Sequence, residues 1–223
     1  MAINRVDYAK FPVRARDDWY VGMDVGQKRD PSALSALNHV VRAGEWQCDD
    51  ARRIWKQDKT ERFLVRHLER LPLGMPYPAQ IEHVAGILAR EPLKGATFGL
   101  DFTGVGRPIF DLFLRGGVRP QGIQFTSGND IRSDGQIHYV PKQYLVANLE
   151  ARLHSNELRF APDLADAPAL RAELQSFNRK ISETGYISYN AKVGAFDDQI
   201  MAVCIALFLA TNRHEITSTE LRI

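Results

Sequence analysis

The sequence has no apolar run approaching the ~18 residues that a membrane-spanning helix requires. Met1 to Arg16 mixes charges with short apolar runs and lacks the apolar stretch of a signal peptide, so a cytoplasmic protein is the expectation. Cysteine is scarce. Cys48 and Cys204 form neither a CxxC pair nor a zinc pattern. The six histidines are scattered, with no HExxH. A metal in this chain would therefore be held by carboxylates. Excess charge is lacking too: a net +2 does not by itself mark a nucleic-acid binder, although a local basic patch suffices for phosphate contacts. What is present is ordinary for a globular protein, 44% hydrophobic and 25% charged residues in 223, enough for one sizeable domain.

The pattern of apolar residues gives an element order. Trp19 to Val25 reads as a buried strand ending in an acid and a glycine, followed by turn chemistry through Pro31. Ser32 to Val41 reads as a second strand and Arg52 to Gln57 as a third, with short connections that predict an antiparallel meander. Ala79 to Arg90 then places Ile81, Val84, Ala85 and Leu88 at helical spacing. Ala96 to Leu100 is a short apolar strand ending at Asp101, Pro108 to Arg115 a helix stopped by two glycines, and Val118 to Phe125 another strand. Ser127 to Val140 is the least regular stretch, with a hairpin signal at Asp134-Gly135. Pro141 opens a helix to about His154. Leu158 to Phe160 is a brief strand, Pro168 to Arg179 an amphipathic helix, Tyr186 to Tyr189 a strand, and Asp197 to Asn212 a long apolar helix. The class is α/β: three antiparallel strands followed by parallel ones, a mixed sheet flanked by helices on both faces.

Acids stand at the ends of buried elements: Asp24, Asp101, and the pair Asp197 and Asp198. Each alone also suits a turn or a helix cap. Together, in this order of elements, the first strand and the strand after the first helix are natural neighbours, and the start of a packed helix can face the same spot. Carboxylates converging there repel one another, and divalent cations relieve that repulsion. Oxygen ligands suit Mg²⁺ or Mn²⁺. Two such ions roughly 4 Å apart activate a water and stabilise the leaving oxygen of a phosphodiester. Asp198 is the expected primary ligand of its pair, because Met201, Ala202 and Ile205 lie on its helix face; Asp197 shares its face with Ile200, Met201 and Cys204, so the difference is modest.

Three stretches resemble the motifs of phage terminase large-subunit nuclease domains, members of the RNase H-like superfamily. Tyr20 to Gly26, with Arg29-Asp30-Pro31-Ser32-Ala33-Leu34, is similar to their first acidic motif. Leu100-Asp101-Phe102-Thr103-Gly104-Val105-Gly106-Arg107-Pro108 is similar to the second, and Ala195 to Ala202 to the third. Gly122 to Thr126 and Pro141 to Leu145 also fit the pattern. The histidine that usually precedes the double Asp is Phe196 here, and the GxxxxGK[ST] phosphate loop of the packaging ATPase is absent. The resemblance implies an RNase H-like nuclease domain over residues 19–213, an N-terminal arm (1–18) and a C-terminal tail (214–223). It implies metal-dependent endonuclease activity on double-stranded DNA in phage genome packaging. Asp24, Asp101, Asp197 and Asp198 would be the catalytic metal ligands, binding two Mg²⁺ or Mn²⁺ ions.

Lys28, Arg29, Arg107, Arg132, Lys142 and Lys192 lie near these motifs and are candidate phosphate contacts, or simply solvated surface. Lys142 is favoured, because a helix start also attracts a phosphate. The implied partners are double-stranded DNA and a separate packaging ATPase, small terminase subunit or portal in the bacterial host, with no membrane. Two other readings stand beside this one. A catalytically inactive DNA-binding or assembly module would keep the fold without the chemistry. A sugar kinase or actin-like phosphotransferase also uses a strand-Asp-x-Gly turn, but needs a second such domain and an adenosine motif.

Overall fold

A computed structural model describes residues 9–26, 30–181, 187–191 and 197–212. Short β1 (Ala9–Phe11) precedes β2 (Arg16–Asp24), β3 (Ala33–Asp49) and β4 (Ile54–Arg70). Helix α1 (Tyr77–Leu88) leads to β5 (Thr97–Asp101), and α2 (Gly106–Arg115) to β6 (Gln121–Thr126). Then come β7 (Arg132–Asp134), β8 (Ile137–Pro141), α3 (Lys142–His154) and β9 (Leu158–Phe160). The last described elements are α4 (Ala167–Ser176), β10 (Phe177–Ile181), β11 (Ile187–Ala191) and α5 (Asp198–Thr211).

Nine strands form one mixed sheet in the order β1-β4-β3-β2-β5-β6-β8-β7, with β9 also on β4. Strands β2, β3 and β4 form the antiparallel meander. β5 runs parallel to β2, β6 to β5 and β8 to β6, so the order is the RNase H-like one. The hairpin at Asp134-Gly135 forms between β7 and β8, with Gly135 at φ 57°. No described helix is long and apolar enough to cross a membrane.

Several elements depart from the sequence expectation, among them β3, which runs on to Asp49 beyond the expected Val41. β4 extends to Arg70, far beyond Gln57. β8 is a strand within the stretch expected to be irregular. The amphipathic helix ends at Ser176, and from Phe177 the chain enters a two-stranded ribbon of β10 and β11.

The two faces of the sheet carry separate cores. One contains Val21, Met23, Leu34, Phe98 and Leu100 packed against Val84 of α1 and Ile109 and Phe113 of α2. The other contains Tyr20, Leu37, Phe63, Val65 and Ile123 beneath α3, α4 and α5. α5 is apolar around its whole circumference and is buried from Asp198 to Ala210, which suits a helix enclosed by a sheet on one side and helices on the others.

Candidate active site

Side chains alternate across a strand. In β2, Val21 and Met23 point to the α1/α2 core, so Tyr20, Gly22 and Asp24 share the opposite face, under α5. In β5, Phe98 and Leu100 point to the α1/α2 core, so Gly99 and Asp101 face α5 as well. The two strands are parallel and paired, with Met23 opposite Leu100. One step further along each strand, Asp24 and Asp101 are therefore neighbours, across a strand spacing of about 4.8 Å.

Glycine sets how closely α5 approaches. A methyl group on Gly22 would collide with Ala202 O and lie 2.6 Å from Ala206 N, so helix backbone rests directly on strand backbone there. A methyl on Gly99 would crowd Leu209 and Ile205. This contact lays α5 along β2 and β5 with its N-terminus at their acidic ends.

Four carboxylates meet at that point. Asp24 and Asp101 share a hydrogen bond, and Asp24 also feels the charges of Asp198 and Asp197. Burial is the main cause that raises the affinity of Asp24 for a proton, and the charges of Asp101, Asp198 and Asp197 add to it. Asp101, 9% exposed, is also raised by burial. It is partly held down by the Thr103 N–H, which donates to its Oδ1 at 2.8 Å. Thr103 Oγ1 in turn accepts the Phe125 N–H at 3.0 Å, anchoring this turn to β6. Asp198 is 6% exposed, and burial pushes its pKa up to about 7, against the pull of Arg70. Its Oδ2 is buried without a hydrogen-bond partner.

The fold resembles that of known structures. It matches the large terminase nuclease from thermophilic phage G20c with bound magnesium, at TM-score 0.57 and 19% identity over 90% of this chain and 83% of that one. It matches the same nuclease with bound cobalt, at TM-score 0.57 and 19% identity over 86% and 80%. It also matches the Thermus phage P74-26 large terminase nuclease domain, at TM-score 0.53 and 17% identity over 86% and 80%. The chain has the fold of a large-terminase nuclease. No protein-family model matches it, and no curated protein does.

On this terminase-nuclease fold, Asp197 occupies the N-cap of α5 but makes no side-chain cap hydrogen bond. Its Oδ2 instead accepts from Lys142 Nζ at 2.9 Å. Lys142 opens α3, and its charge also reaches Asp101. Arg107 is exposed near the start of α2, its guanidinium 5.9 Å from the centre of the Phe102 ring. Arg132 lies over Tyr139 at 4.6 Å on β7, the outermost strand, with β6 and β8 between it and β5. Lys28, Arg29 and Lys192 lie outside the described residues.

Asp30 belongs to the first of the resembling stretches, whereas Arg70 and Glu173 carried no signal in the sequence. The charge of Asp30 raises the pKa of Asp198. Arg70, the last residue of β4, places Nε 4.0 Å from Asp198 Oδ2 and pairs through Nη2 with Glu173. Glu173, 5% exposed, has its pKa raised to about 7, first by burial. Neither residue lies near an acidic motif in the chain, so no local pattern marks them.

The donor set suits a hard cation: carboxylate oxygens, one of them buried and unsatisfied. Yet among the described residues no three His, Cys, Asp or Glu side chains stand where they hold an ion as they are. Burial and the neighbouring acids favour a proton on Asp24, hydrogen-bonded to Asp101, while the cations Lys142 and Arg70 lie against Asp197 and Asp198. Binding a divalent ion would displace that proton and turn the carboxylates toward it, as metal sites that release protons do.

Proposed function

We propose that this chain is a metal-dependent endonuclease that cleaves double-stranded DNA in phage genome packaging. The observation that carries the reading is the meeting of Asp24, Asp101, Asp197 and Asp198 on the α5 face of a fold shared with terminase nucleases. That the G20c nuclease was crystallised with magnesium and with cobalt supports a divalent ion here. In this reading Asp24, Asp101 and Asp198 hold two Mg²⁺ or Mn²⁺ ions, with Asp197 at the edge. The bound ions would supply an activated water and charge stabilisation at the leaving oxygen. Lys142 holds Asp197 and stands ready for a phosphate at the start of α3. Arg107 offers an exposed guanidinium beside the Asp101 turn. The natural partners would be double-stranded DNA and a packaging ATPase, small terminase subunit or portal, in the host cytoplasm.

The test is cleavage of supercoiled plasmid in Mg²⁺ or Mn²⁺. EDTA, Asp24→Asn and Asp101→Asn should each abolish it, and ATP should not change it. Cleavage that survives both Asn variants would place the chemistry elsewhere. The competing reading, an inactive DNA-binding or assembly module, is favoured by the ion pairs of Lys142 and Arg70 with the acids. It predicts DNA retention in a gel with no cleavage at any metal concentration.

A further inference from the structure

The first turn of α5 is held by residues outside it. A helix start leaves backbone N–H groups without partners, and an Asp at the N-cap ordinarily satisfies one. Here Asp197 is turned to Lys142 instead. The Ile200 N–H is met by Glu173 Oε2 of α4, at 3.1 Å. The other oxygen of Glu173 pairs with Arg70, whose Nε lies 4.0 Å from Asp198 Oδ2. A second carboxylate reinforces the arrangement: Asp166 Oδ2 accepts the Arg70 N–H at 2.9 Å and Gln199 Nε2 at 3.1 Å. Two acids from outside α5 thus tie its first turn to the end of β4.

We propose that Glu173 and Arg70 are positioning residues for the acidic cluster, resting on the nuclease reading above. Glu173 caps α5 from the neighbouring helix, which leaves Asp197 and Asp198 to the site. Arg70 fixes Glu173 and sets the place of the Asp198 carboxylate. Without the cap, the first turn would draw Asp197 or Asp198 back onto its own N–H groups, away from the cluster. Residues that orient a ligand in this way typically alter metal affinity by about 10- to 100-fold when removed.

The test uses the full chain. Mn²⁺ binding is measured directly by electron paramagnetic resonance, and plasmid nicking is titrated against Mn²⁺. Glu173→Ala should weaken Mn²⁺ binding about tenfold or more and raise the Mn²⁺ midpoint for nicking to match. Glu173→Gln keeps an oxygen for the Ile200 N–H and should recover part of that loss. Arg70→Lys keeps the charge but loses the fork, and should weaken binding by a smaller factor. Circular dichroism should be unchanged for Glu173→Gln and Arg70→Lys, so these two report even if Glu173→Ala fails to fold. Mn²⁺ affinity within twofold of wild type in both would overturn the inference while leaving the nuclease reading intact. A wild-type chain that neither binds Mn²⁺ nor nicks DNA would overturn both.

Discussion

Charged residues crowd two places in this molecule, the acidic ends of β2, β5 and α5, and the outer half of the β3–β4 hairpin. The ion pairs of Arg42 and Arg52 there stand in water. Arg42 pairs with Asp17 at 3.0 Å, and Arg52 with Asp49 at 3.6 Å, with every side chain about half exposed or more. At the site the same residue types have lost most of their water. Asp24, Asp101, Asp198 and Glu173 all have raised pKa values, with burial the largest cause in each. A solvated ion pair contributes about 0–1 kcal/mol, whereas a desolvated carboxylate demands a proton, a cation or a metal. Loss of water, more than the number of charges, is what makes the second region a candidate for chemistry.

The largest expected effect breaks the symmetry inside the site. Asp198 is buried and Asp197 is the lysine-paired N-cap, so Asp198→Asn should lower the nicking rate about 100-fold and Asp197→Asn about tenfold. Equal losses in single-turnover rates would put both acids on the metal. Next comes the packing that brings the site together. Gly22→Ala drives a methyl into the α5 backbone and should cost about 1–3 kcal/mol in urea unfolding. An unchanged midpoint would mean that α5 does not rest on the β2 backbone.

A smaller effect concerns pH. Between the ordinary carboxylate range and about 7, folded Asp198 keeps a proton that the unfolded chain has already released. The metal-free protein therefore loses stability as pH rises through that window. A divalent ion competes with the same proton, so its stabilisation grows as pH rises. Mn²⁺ at a fixed concentration about 100 times its Kd at pH 8 should raise Tm by roughly 5–10 °C at pH 8 and scarcely at all at pH 5. A shift independent of pH would detach metal binding from these acids. The smallest effect belongs to the hairpin: Arg52→Ala should change stability by less than about 0.5 kcal/mol and leave nicking unchanged. A large loss there would erase the contrast between the two regions.

The four acids and the elements that carry them were legible because Trp19 to Met23 and Thr97 to Leu100 are short apolar stretches that end at an acid, and because α5 is apolar enough to declare itself. The C-terminal half of β4 hid for an identifiable reason. Phe63, Val65 and Leu68 all face one core, and their spacing breaks alternation because the register shifts between Ala36 and Leu37, leaving Arg66 without a residue opposite it on β3. β8 hid because its second residue, His138, is a buried polar group satisfied by Gln121 and Ser133, which only the folded chain brings to it. Arg70 and Glu173 hid because they are 103 residues apart and meet only in three dimensions.

The close seat of α5 on β2 also bears on the order of events during synthesis. β2 is among the first described elements to leave the ribosome and α5 the last, so the contact at Gly22 joins distant parts of the chain. Contacts of such wide sequence separation form late, after most of the chain entropy has been lost. Asp24 and Asp101 can be adjacent in a partly made chain, but Asp198 arrives only when the last helix docks. A nascent or partly folded chain would therefore lack the full set of carboxylates, and any activity that depends on them would switch on only once folding is complete.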